Sequence, residues 1–256
     1  MCGLLAACER HYDRAAPAPA TQPAMAWGVP DRSLRIVSYN VYWHQRGIDR
    51  VAETVKSLKP DIVMLAEVPP KDVPDLAQKI GLEHFYVTPN NPNEWAKPST
   101  AILSRFPLEN AHPIDNPGGR DFAVMAETTI DGKRFALVAV HLTATLSMSP
   151  IAFHQSENDR AKELAALTKE WEARGKPPMI VAGDFNQLAQ GRNYGAMTHS
   201  FDDTLAKLKK TNWTCEHGML KTRIDYLLTT RDFRLADGGV VTSDASDHRP
   251  IWIQTK

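Results

Sequence analysis

The chain has 256 residues, 43% hydrophobic and 23% charged, a composition ordinary for a globular protein and long enough for one substantial core. Thirty basic residues balance thirty acidic ones, so no global field draws the protein to nucleic acid or to an anionic membrane. The cysteines, Cys2, Cys8 and Cys215, do not make a disulfide framework, and no apolar run is long enough to span a bilayer.

Residues 1–30 read as a unit apart. The Ala/Pro-rich stretch from Ala15 to Ala26 cannot build a core and reads as a linker. Ahead of it, Leu5-Ala6-Ala7-Cys8 resembles a bacterial lipobox, in which Cys8 would carry a lipid. Nothing basic precedes Cys8, and the apolar part is shorter than the roughly 7–15 residues of a signal peptide. Two readings stay open. One is an exported protein tethered to the membrane through Cys8, in the periplasm or cell envelope, with residues 1–30 as signal remnant and linker. The other is a chance Ala-rich tail on a cytoplasmic protein. The linker that follows directly favours the tethered form.

The body, residues 31–256, reads as one domain. LRIVSYNVYW has the β-branched and aromatic content of a strand. Ile48, Val51, Val55 and Leu58 then recur at helical steps, and Pro60 closes that helix. DIVMLAEV follows as a short buried strand ended by Pro69-Pro70. VPDLAQKIGL is helical, with Gly81 as C-cap. FYVTP, STAILSR, FAVMAETTI and RFALVAVHLTA read as strands, the last two joined by an Asp131-Gly132 hairpin turn. A helix is expected from Ser156, as its cap, to Arg174, with Ala161, Leu164, Leu167 and Trp171 on one face. PMIVAGDFN, IDYLLTT, RLADGGVVT and RPIWIQT complete the strands. Near-continuous apolar strands need cover on both faces, and several hairpins among few helices argue against a parallel barrel. Two stacked sheets with helices outside fit this α/β pattern.

Polar residues recur near strand ends: Asn40, Glu67, His141, Asp184 with Asn186, Asp225, and Asp247 with His248. Each alone reads most simply as a satisfied turn residue, since burying it unpaired costs about 1–3 kcal/mol. As a set, four carboxylates, two amides and two histidines suit a hard divalent cation, namely magnesium, manganese or calcium. No CxxC or HExxH suggests zinc.

In order, SYNV, MLAEV, ILSRFP, VAVHL, GDFN, RIDYLL and SDHRP resemble the motif series of the endonuclease/exonuclease/phosphatase superfamily, from about Arg35 to Ile253. GDFN and SDHRP are the most specific of them. The resemblance implies a four-layered sandwich: two mixed β-sheets packed face to face with helices on both outer sides. It implies a divalent-metal-dependent hydrolase of phosphate esters, a phosphodiesterase or nuclease, with phosphomonoesterase, sphingomyelinase-like lipid phosphodiesterase and a non-catalytic binding module as alternatives. Glu67 would be the principal ligand of Mg2+ (or Mn2+/Ca2+), assisted by Asn40 and Asp247. Asp184 would activate the attacking water, and Asn186 would hold the phosphate or the nucleophile. His248, its tautomer fixed by Asp225, would contact a phosphate oxygen, and His141 would stabilise the transition state or protonate the leaving oxygen. The partner would be a nucleic acid, phospholipid or phosphorylated metabolite, and a monomer is expected.

The pattern departs from that family at two points. Tyr42 stands where some members carry a second carboxylate, which weakens a two-metal reading. No acid is adjacent to the ILSR strand in KPSTAILSR to pair with His141, as in nuclease-like members. Arg105 and Arg120 are candidate phosphate contacts, although strand arginines are more often ion-paired. Trp43 and His44 could line the cleft, or equally be a packed Trp beside a solvent-facing His. Trp213 and Trp95 could stack on a ring, and core packing is the plainer reading for Trp213.

Overall fold

The computed structural model describes residues 26–88, 99–114, 122–145, 147 and 149–256. The first half runs β1 (Arg35–Asn40), α1 (Ile48–Ser57), β2 (Ile62–Val68), α2 (Val73–Ile80), β3 (His84–Val87) and β4 (Ser99–Ser104). Next come β5 (Glu109–Pro113), β6 (Ala123–Ile130), β7 (Lys133–His141), α3 (Pro150–Ala173) and β8 (Met179–Asp184). Then follow α4 (Tyr194–Ser200), β9 (Phe201–Asp203), α5 (Thr204–Lys207), β10 (Cys215–His217), β11 (Leu220–Thr222), β12 (Asp225–Thr230), β13 (Leu235–Val240) and β14 (Ile251–Thr255).

Two six-stranded sheets result, ordered β13-β14-β1-β2-β4-β3 and β5-β6-β7-β8-β12-β9, with β10 and β11 as a separate ribbon. Each is mixed: β1 runs parallel to β2 and β7 parallel to β8, while their other pairings are antiparallel. The sheets face each other across Ile36, Met64, Phe135, Leu137, Ile180, Leu227 and Ile253, all buried. Burying one such side chain is worth about 1.5–3 kcal/mol. The outer face of the first sheet takes Val51, Val55 and Leu76 from α1 and α2. The outer face of the second takes Leu164, Leu167 and Trp171 from α3. This is the expected four-layered sandwich, because strands buried on both faces leave only their ends for polar side chains.

The hairpin signal is realised: Ile130 pairs with Lys133 across Asp131 and Gly132, whose φ of 52° and 72° suit a tight two-residue turn. Gly81 caps α2 in the left-handed conformation. The third helix differs from expectation. It begins at Pro150, and the Ser149 hydroxyl, not that of Ser156, accepts the Ala152 N–H at 3.2 Å. Proline is pre-set for a first helical position, so the cap moves ahead of it. Ser156 is buried within the helix and donates to the Phe153 carbonyl. The short elements β5, β9, β10, β11, α4 and α5 carry too few apolar residues in a row to announce themselves in the sequence. Residues ahead of β1 also pack: Gly28 N–H and Ala26 C=O bond Arg134, whose guanidinium lies over Trp27. Among the described residues, no helix is long and apolar enough to cross a membrane.

Candidate active site

The strand period places the polar residues. In β1, Ile36 faces the inter-sheet core, and two-residue steps through Ser38 bring Asn40 to the same face. Leu137 and Ala139 lead in the same way to His141, Ile180 and Ala182 to Asp184, and Leu227 back to Asp225. The site is thus the polar continuation of the apolar layer between the sheets. Glu67 is out of phase, since Ile62, Met64 and Ala66 are the inward series of β2. A register shift between Leu65 and Val68, with Glu67 at φ 55°, turns its side chain inward. Parallel pairing sets His141 opposite Asp184. It requires Gly183 at φ 150°, because a Cβ there would lie 1.9 Å from the Val140 carbonyl oxygen.

The side chains meet across the two sheets. Asn40 Nδ2 donates to Glu67 Oε1 at 2.9 Å and to Asp184 Oδ2 at 3.0 Å. His141 Nε2 stands 3.5 Å from Glu67 Oε1 and 3.9 Å from Asp184 Oδ2. His248 Nε2 lies 3.7 Å from the same Asp184 oxygen, and its Nδ1 lies 2.8 Å from Asp225 Oδ2. Asp184 Oδ1 accepts the Asn186 N–H at 2.8 Å, and Asn186 Nδ2 donates to the Leu142 carbonyl at 3.0 Å. Asp247 is tied in through Ser246, whose hydroxyl lies 3.2 Å from Asp247 Oδ1 and 2.9 Å from the Asn40 carbonyl.

Burial governs the electrostatics. It pushes the Asp225 carboxyl above its ordinary range, against the pull of His248. Burial alone would lower His248, but the charge and hydrogen bond of Asp225 win, and the imidazole pKa rises well above 6.5. Glu67, His141 and Asp184 offer ligand atoms that all lie within 4.8 Å of one another. Two carboxylates joined by a single amide, with no sulfur among them, fit a hard divalent cation.

Arg105 does not join this group. It follows β4 at the far end of the first sheet and pairs with Asp61 at 3.1 Å. Arg120, Trp95 and Cys8 lie outside the described residues, as does most of the segment ahead of β4. Tyr42, Trp43 and His44 form a left-handed turn directly after Asn40, with φ between 42° and 55°. It is held by Tyr42 N–H to Asn40 Oδ1 and by His44 to Asp72 at 2.9 Å. Sequence reasoning missed the supports behind the site. Thr214 Oγ1 accepts the N–H groups of Ile224 and Asp225. Buried Arg160 donates to the Thr143 carbonyl and to Glu157, while Glu163 accepts from the Thr143 N–H and hydroxyl. Asn193 joins Glu157 to Gln187. These bonds fasten the loops after β7 and β8 to α3. Charged residues on the inner face of a helix were the available signal.

A face-to-face mixed sandwich with a carboxylate–histidine cluster at one end of its inner layer, together with the family match that follows, makes the chain a metal-dependent phosphoester hydrolase. Residues 37–248 match the Endonuclease/Exonuclease/phosphatase family, and the chain belongs to it. Its enzymes depend on divalent metals. No curated protein matches the sequence. Among solved structures, the endonuclease/exonuclease/phosphatase from Bacteroides vulgatus is similar with a TM-score of 0.74 at 17% identity, over 88% of this chain and 99% of that one. A humanized D. rerio TDP2 gives 0.71 at 20% identity over 88% and 99%. A variant of the 3' phosphatase NExo from Neisseria, bound to product DNA hairpin, gives 0.67 at 17% identity over 87% and 99%.

Proposed function

We propose that the protein is a phosphodiesterase acting on nucleic acid, with Asp184 as the base that activates water. The observation that carries this reading is the Asn40 amide, which holds Glu67 and Asp184 together beside two histidines. Glu67, with Asn40 and Asp247 assisting, would hold the divalent cation, which when bound neutralises charge on the phosphate. Asp184 is fixed at both oxygens, by Asn40 and by the Asn186 N–H, so a water beside it meets a carboxylate already in position. His248, kept cationic by Asp225, donates from Nε2 to a non-bridging phosphate oxygen. His141, on the Glu67 side of Asp184, gives its proton to the leaving oxygen. Asn186 spans Asp184 and the Leu142 carbonyl and so aligns the loop that faces the phosphate.

A second reading, a lipid phosphodiesterase, is favoured by the β10–β11 ribbon. Its tip presents Met219 fully exposed and Leu220 at 57%. Tethering through a lipid on Cys8, proposed on sequence alone, would suit that substrate, and the mass of the cell-derived N-terminal peptide tests it. Plasmid DNA, RNA, sphingomyelin and inositol phosphates, each supplied with magnesium or manganese, separate the readings. Cleavage of DNA or RNA is expected. Hydrolysis of sphingomyelin alone would select the lipid reading, and phosphate release from monoesters alone a phosphomonoesterase. No hydrolysis of any would leave a binding module.

A further inference from the structure

Resting on the phosphoesterase reading, we infer that Arg249 determines specificity by binding a second anionic group of the substrate, next to the phosphate at His248. Arg249 follows His248 directly. Its N–H bonds the Thr214 carbonyl at 2.6 Å, and Cys215 bridges to His248, so the Trp213–Cys215 segment runs alongside. The Arg249 guanidinium carbon consequently lies 3.2 Å from the centre of the Trp213 ring.

Other arginines near the site are engaged. Arg223 pairs with Asp203 at 2.6 Å, Arg160 with Glu157 at 2.8 Å, and Arg46 donates to the carbonyls of Asp244 and Ser246. Among the described residues, the Arg249 side chain has no carboxylate at ion-pair distance and no hydrogen-bond acceptor. A stacked guanidinium keeps its in-plane N–H groups free and loses most of its rotamer freedom before any ligand arrives. It is thus a pre-organised donor for a planar or tetrahedral anion, one residue along the chain from His248. Trp213 also borders a groove of about 390 Å³ lined in part by Lys221, paired with Glu216, and by Arg223, paired with Asp203, which leaves the Arg249 charge as the unpaired one beside that ring. The simpler role, apolar cover for Trp213, needs only the methylene stem of Arg249, not its charge.

The two roles separate with p-nitrophenyl thymidine 5′-phosphate supplied with and without a 3′-phosphate. The native enzyme should prefer the ester that carries the 3′-phosphate in kcat/KM by about 10- to 100-fold. Arg249→Met, which keeps apolar cover on Trp213, should abolish that preference and leave the singly charged ester within about threefold of native. Arg249→Lys should restore part of it. Matched glycerol esters with one and two phosphates show whether the anion suffices without a nucleoside; a preference in the thymidine pair alone assigns the second phosphate to nucleic acid. A preference that survives Arg249→Met, or an equal loss on both esters, overturns the inference. Calorimetric binding of thymidine 3′,5′-bisphosphate against the 5′-monophosphate keeps the test independent of turnover. If neither ester is hydrolysed, the phosphoesterase reading fails, while a bisphosphate preference lost in Arg249→Met still upholds the role of Arg249.

Discussion

The two ends of the sandwich use the same residue types to opposite effect. At the end where β1 and β2 begin, Asp61 and Asp131 each have an arginine. Asp61 accepts from the Arg35 N–H and pairs with Arg105, and Asp131 pairs with Arg32 at 3.0 Å. At the other end, Glu67, Asp184 and Asp225 share amides and imidazoles, and among the described residues no lysine or arginine lies within ion-pair distance of them. Charge balanced in pairs makes a quiet surface. Charge left unbalanced around buried oxygens costs stability and creates demand for a cation.

Substitutions that swap the character of the two ends probe that contrast. Glu67→Gln removes a carboxylate beside Asn40 and should lower turnover by about 10²–10⁴-fold. Saturating Mn2+, at about 100 times its Kd, should stabilise the native protein by about 2.7 kcal/mol. The Glu67→Gln variant should gain little, as thermal unfolding with and without the ion will show. Arg160→Met leaves Glu157 buried without its cation, with only the Asn193 amide, and should destabilise the fold by about 3–5 kcal/mol. Because the Thr143 carbonyl also loses its donor, kcat should fall more than KM rises in steady-state kinetics.

The His248–Asp225 pair gives a signed pH dependence. Its folded pKa is raised, so its stabilising contribution is complete below the ordinary 6.5 and is lost as pH rises through the higher folded value. In the metal-free protein, NMR should find the His248 ring protonated at neutral pH. Asp225→Asn removes the largest raising cause and leaves burial opposed only by Cys215 and Asp184, so the pKa should fall. An unchanged titration would show that Asp225 does not hold the ring. The smallest effect belongs to the quiet end. Asp61→Ala should cost about 1 kcal/mol and leave turnover unchanged.

The two ends also differ in how far the sequence discloses them. Asn40, His141, Asp184 and Asp225 fall in step with the inward apolar residues of their strands, so period two and apolar runs expose them. Glu67 breaks that step, and only the bulge explains its aim. Arg105 resembled a phosphate contact because one-dimensional order does not reveal which end of an antiparallel strand faces the cleft. The start of α3 shifted because Ser149 and Pro150 together outcompete Ser156 as a cap. The supporting layer of Arg160, Glu163, Asn193 and Thr214 was illegible for a further reason. Thr143, Ile224 and Asp225 lie in other elements from the side chains they bond, and even Arg160 and Glu157, one turn apart on α3, are marked as buried only by the face they share with Leu164 and Leu167.

Hydrolysis of bis-p-nitrophenyl phosphate in magnesium, by the native protein and by Asp184→Ala, puts the most direct question to the unbalanced end. The native protein should turn over the ester, and the variant should be slower by about 10²–10⁴-fold while remaining folded. Equal rates in the two proteins would contradict the assignment of Asp184 as the base and, with it, the account of the cleft as a phosphoesterase centre.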